Sequence, residues 1–87
     1  MKELTKKLYF RSLNRGCKEL DIIIGQFAKL YLDEMTLSEL LEYQNLLELN
    51  DNYLYNYISE AIKSDSQTIE EIVMKKIVDF VKLRSSN

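Results

Sequence analysis

Apolar residues along the chain recur at steps of three and four, the spacing that gathers them on one side of an α-helix. Leu20, Ile23, Ile24, Phe27, Leu30 and Tyr31 form one such stripe. Thr36 followed by Glu39 reads as a capping box that opens the next helix, with Leu37, Leu40, Leu41 and Leu47 along its inner face. Asn50, Asp51 and Asn52, all residues that favour caps and turns, interrupt that helix. Leu54, Tyr57, Ile58, Ala61 and Ile62 then resume a helical face. Residues 63–67 are polar and predict a loop. Thr68 with Glu71 reads as a second capping box, ahead of a last helix of about four turns carrying Ile69, Ile72, Val73, Ile77, Phe80 and Val81. At the other end, Leu4, Leu8, Tyr9, Phe10 and Leu13 give a ragged face predicted to stop at Asn14 or Arg15. Gly16 supplies the break, because it tolerates backbone angles that other residues avoid. No segment alternates like a strand. The pattern predicts an all-α, compact five-helix bundle, a single domain over residues 1–87 with an ordered core of about residues 4–83.

Composition removes several function classes. The 87 residues are 46% hydrophobic and 30% charged, with no His, Pro or Trp, one Cys and two Gly. A chain of this size buries about 60% of its extended surface, so the core is small. Without His there is no Ser–His–Asp or Cys–His pair, no His-based zinc site and no imidazole base. A single Cys forms no internal disulfide, and two isolated Gly build no phosphate-cradling loop. An enzyme is not expected. The longest aliphatic run is residues 22–24, far below the roughly 20 residues of a membrane helix. The basic start lacks the apolar stretch of a secretory signal, so a cytoplasmic (or organellar matrix) location is expected, with no membrane insertion.

Charge is unevenly placed. Residues 1–18 carry +5, residues 19–60 carry −8 with Lys29 as their one cation, and residues 61–87 carry +1. Such a dipolar chain suits oriented docking on another macromolecule, and it equally suits short helices that solvate their outer faces. Nucleic acid is not an expected partner: the acidic middle opposes a polyanion, and no basic recognition helix is present.

The densest local signal is Arg15-Gly16-Cys17-Lys18-Glu19-Leu20-Asp21. Glu19 stands three residues beyond Gly16, where a carboxylate can satisfy free amides at a helix start. Alternatively, Arg15 and Glu19 flank a bare glycine that a partner's backbone can approach, with the Arg fork as anchor. Spacing alone does not separate the two. Cys17 lies beside Lys18 near a helix start, but with no base and no second Cys it reads as incidental. Tyr53, Tyr55 and Tyr57 cannot all share one helix face. Tyr57 fits the core stripe, whereas Tyr53 and Tyr55 are candidates for an aromatic contact surface. The adjacent pairs Asp33–Glu34 and Glu70–Glu71 match neither a metal loop nor an acid/base pair.

Read in order, Arg11-Ser12-x-x-Arg15-Gly16-x-x-Glu19-x-Asp21, Gly25-x-Phe27-Ala28, Tyr43-x-x-Leu46-Leu47-Glu48 and Asp51-x-x-Leu54-Tyr55-x-Tyr57-Ile58 resemble the FAD assembly factor family. That family comprises the bacterial SdhE proteins and mitochondrial succinate dehydrogenase assembly factor 2. The similarity runs over about residues 8–62, and the chain length and five-helix pattern also suit it. Two departures stand out: many relatives have Asp-Pro-Asp where this chain has Asp51-Asn52-Tyr53, and Trp where it has Tyr57.

The resemblance implies a chaperone-like factor, monomeric when free, that holds no cofactor stably. Its expected partner is the flavoprotein subunit of succinate dehydrogenase and, in some bacteria, the related fumarate reductase subunit. Its expected effect is covalent attachment of FAD to a His of that client. The partner-binding residues so implied are Arg11, Arg15, Gly16 and Glu19, then Asp51, Leu54, Tyr55 and Tyr57. The other function class left standing is a small helical antitoxin-like or nucleic-acid-associated regulatory module.

Overall fold

The structure, a computed structural model, describes residues 2–13, 15–63 and 70–85. They form five helices: α1 (Lys2–Leu13), α2 (Lys18–Tyr31), α3 (Leu37–Leu47), α4 (Asp51–Lys63) and α5 (Ile72–Ser85). A 3-10 turn, Leu32–Glu34, which the periodicity did not indicate, follows α2 directly. The all-α, five-helix expectation holds, and the described residues include no strand.

Local chemistry explains most boundaries. The Thr36 hydroxyl accepts the Glu39 amide while the Glu39 carboxylate accepts the Thr36 amide, so the first predicted capping box is present. The Thr36 amide, joined by Lys76 at 3.2 Å, holds the Glu39 carboxyl below its usual range. Asn50 caps α4 by accepting the Tyr53 amide at 2.8 Å. Arg15 is not helical, and Gly16 takes φ +88, where the chain turns into α2. Asn14 lies outside the described residues, as do Thr68, Ile69 and all of the 63–67 loop except Lys63, which closes α4.

The last helix departs from its predicted start. Glu70 and Glu71 are not helical, and α5 opens at Ile72. Its free amide at Val73 is bonded by the Glu42 carboxylate of α3, at 2.8 Å. A side chain 31 residues away thus supplies the cap that local spacing assigned to Thr68.

The core joins all five helices. Phe27 of α2 stacks on Tyr31 at 4.9 Å and meets Tyr43 of α3 at 5.8 Å and Phe80 of α5 at 6.0 Å. Each such pair contributes about 1 kcal/mol beyond simple burial. Leu8, Leu20, Leu40, Leu54, Ile58 and Ile77 complete the interior. Several predicted inward residues face out instead: Leu37 is 51% exposed, Leu41 47% and Leu30 59%. A five-helix core this small offers α3 only one narrow contact stripe, which Leu40, Tyr43 and Leu47 occupy. Among the described residues no helix is long and apolar enough to cross a membrane, and no cluster is suited to hold a metal ion.

Candidate functional site

The start of α2, the turn between α3 and α4, and the first turns of α4 converge. Asp51 opens α4, and beyond Gly16's own chain neighbours its Oδ2 is the one atom of the described residues within 4 Å of the point a Cβ on Gly16 would occupy, at 3.8 Å. The face of Gly16 is otherwise open. Cys17 and Glu19 of the α2 start and Asn52 and Tyr55 of α4 line a shallow depression of about 250 Å3 beside it.

Arg15 sits beneath this surface. Its side chain is only 8% exposed. Nε donates to Asp51 Oδ1 at 2.9 Å, and the two terminal nitrogens donate to the Leu47 and Leu49 carbonyls at 2.8 and 2.6 Å. The Leu47 carbonyl ends α3 and the Leu49 carbonyl lies in the turn just beyond it, where no further helical turn exists to use them. The Arg15 amide in turn donates to Asp21 Oδ1 at 2.9 Å. One guanidinium therefore closes α3, pairs with the opening residue of α4 and is tied to α2 through its own backbone.

Glu19 is exposed and lies in the second position of α2, which begins at Lys18 after Cys17. Counted from the N-cap Cys17, that is one residue short of the box position. Its carboxylate instead accepts the Cys17 thiol at 3.6 Å and stays open to solvent. Arg11 reaches Glu48, just past α3, at 3.1 Å. Tyr55 is 40% exposed and Tyr53 60%, with Tyr53 edge-on to Tyr57 at 6.4 Å. Tyr57 is half-buried and donates to Glu71 Oε1 at 3.0 Å. Burial first, then the Glu71 carboxylate, raises its phenol pKa. Leu54, also among the expected partner-binding residues, is fully buried, and its position on α4 points into the core.

Of the residues expected to meet a partner, Gly16, Glu19 and Tyr55 thus share one open surface, and Arg15 and Asp51 support it from within. Arg11 and Tyr57 lie on flanking contacts. Sequence reasoning missed Asn52 as a lining residue and Asp21 as a support. The clue to Asp21 was its place in the Arg-Gly-x-x-Glu-x-Asp string.

The family described as flavinator of succinate dehydrogenase matches residues 6–81. A succinate dehydrogenase assembly factor 2, mitochondrial, of Dictyostelium discoideum is 38% identical over 73 residues, which are 84% of this chain and 52% of that protein. An FAD assembly factor SdhE of Acetobacter pasteurianus is 40% identical over 74 residues, 85% of this chain and 68% of the relative. The SdhE of Wigglesworthia glossinidia brevipalpis is 33% identical over 73 residues, 84% and 87% of the two chains. The chain spans about half the length of the Dictyostelium relative and a third of a Lodderomyces elongisporus one over their matched regions. No solved structure matches it. The family match covers α2, α3, α4 and the Gly16 surface between them, together with most of α1 and α5, and on that extent the chain belongs to the flavinator of succinate dehydrogenase family.

Proposed function

We propose that this protein binds the flavoprotein subunit of succinate dehydrogenase and promotes covalent attachment of FAD to a His of that subunit. The observation that carries the reading is membership, over residues 6–81, of the family described as flavinator of succinate dehydrogenase. The open surface of Gly16, Glu19 and Tyr55 supports it, because it offers a bare backbone and polar and aromatic groups to a partner.

The chain has no His, so it donates no imidazole. In this reading the nucleophile belongs to the client and the electrophilic flavin carbon to the client's FAD, and the factor holds no cofactor of its own. What the factor supplies is preference for one client geometry. Each 1.4 kcal/mol by which it favours the competent conformer shifts the population ratio about tenfold. Aligned reacting groups then gain the several kcal/mol that orientation provides. Gly16 admits close approach, Glu19 offers a charge-assisted hydrogen bond and Tyr55 a flat apolar face. The site of action is the compartment that holds the flavoprotein: the cytoplasm of a bacterium, or the mitochondrial matrix.

The test is co-expression with the flavoprotein subunit, co-purification, and in-gel flavin fluorescence with and without the factor. Co-purification and fluorescence that depends on the factor are the expected outcomes. Equal covalent flavin in its absence refutes the proposal. The same gel with the fumarate reductase flavoprotein tests the second expected client.

A further inference from the structure

Arg15 belongs to the motif on the open surface, yet its side chain does not reach that surface. Its three nitrogens are engaged by acceptors 32 to 36 residues away, all of them around the α3–α4 turn. Its amide is engaged by Asp21. Gly16, next to it, contributes no side chain between the two helix starts, where Asp51 is the nearest group. The relative placement of the α2 start and the first turn of α4 therefore depends on the Arg15–Asp51 pair.

We propose that Arg15 and Asp51 are positioning residues: they hold the first turn of α4 against the start of α2, so that Glu19, Asn52 and Tyr55 meet the client as one surface while the Arg15 guanidinium never touches it. This inference rests on the client reading above and divides the motif into residues that make contact and residues that set geometry. A planar fork with three acceptors at 2.6 to 2.9 Å suits that task. A Lys ammonium in its place offers no such rigid fork. Asp51 Oδ1, the charged partner, supplies the strongest of the three contacts.

The variants are Arg15→Lys, Asp51→Asn, their double, and Glu19→Gln as the surface comparison, all in the full chain. Three quantities are measured: affinity for the purified flavoprotein subunit, amide exchange at Tyr53 and Leu54 in the free protein, and alkylation of Cys17 by iodoacetamide in the free protein. Both amides bond to Asn50 at the α4 start, and Cys17, the sole cysteine, lines the depression. Arg15→Lys and Asp51→Asn are expected to speed exchange and alter alkylation severalfold, and to weaken client binding about tenfold. The double is expected to be no worse than the poorer single, because the two residues act as a unit. Glu19→Gln is expected to weaken binding with amide exchange unmoved.

Affinity lost while both free-protein readouts stay at their wild-type values assigns Arg15 to direct contact and overturns the inference. Readouts that move with affinity unchanged make the pair a stabiliser of the fold alone, which overturns it too. If Arg15→Lys fails to fold, Asp51→Asn, which keeps the side-chain shape, decides by the same criteria. A wild-type chain that does not bind the subunit overturns the client reading together with this inference, whereas the other two outcomes overturn the inference alone.

Discussion

Ser12 and Tyr43 form a buried hydroxyl pair that links α1 to α3, and its removal has a calculable consequence. Ser12 Oγ donates to the Leu8 carbonyl at 2.7 Å. Its one proton is thereby used, so the Tyr43 hydroxyl donates to Ser12 Oγ, at 2.5 Å. Both residues are wholly buried. Ser12→Ala leaves the Tyr43 O–H in the core without its acceptor, which costs about 2 kcal/mol. For a domain of this size that is a fall in Tm of roughly 8–16 °C. Tyr43→Phe leaves Ser12 bonded to Leu8 and costs about 1 kcal/mol. The double variant has no stranded hydroxyl, so it is expected to be more stable than Ser12→Ala alone, at about 1 kcal/mol below wild type. Urea and thermal melts followed by far-ultraviolet circular dichroism measure all four proteins. If the double variant falls to the sum of the singles, or Ser12→Ala melts with the wild type, the hydroxyl pair is not coupled and the reasoning fails.

Alkaline pH should destabilise the fold in a defined direction. Burial pushes the Tyr43 phenol far above its ordinary value, only partly countered by the Ser12 hydrogen bond, and Tyr57 is raised as well. Below about pH 10 these phenols are neutral in both states and their contribution is complete. Above it the unfolded chain releases protons that the folded chain retains, so stability falls as pH rises. Urea melts from neutral pH upward measure this, and a midpoint that stays level past pH 10 refutes it. Gly16→Ala should cost about 1 kcal/mol, because φ +88 strains a residue with a Cβ, while among the described residues beyond its chain neighbours the nearest atom to that Cβ is Asp51 Oδ2 at 3.8 Å. Gly16→Asn should cost less, as Asn tolerates this conformation better, and thermal melts that reverse the order indicate a steric cause instead.

How much was legible in the chain follows from the range of the interaction concerned. The Thr36–Glu39 box of α3 and the break at Gly16 act over a few residues and stand where local spacing put them, whereas of the three residues read as an interruption only Asn50 lies outside a helix, capping an α4 that already includes Asp51 and Asn52. Faces were less legible than helices: Leu37 and Leu41 fit an inner stripe by spacing, yet a helix cannot tell from its own sequence how wide a neighbour will cover it. The motif string marked Gly16, Glu19 and Asp51 as a group without showing that Arg15 lies below the surface and Asn52 on it.

The amino-acid sequence by itself determined that this protein is a histidine-free set of short amphipathic helices and where most of them begin, because capping, glycine φ and the 3.6-residue period are local physics. Tertiary structure alone decided that Glu42 starts α5, that Tyr43 bonds Ser12 and that Arg15 joins α2, α3 and α4. Those partners lie 31 to 36 residues apart, and only packing of the helices brings their charges and hydroxyls within bonding distance.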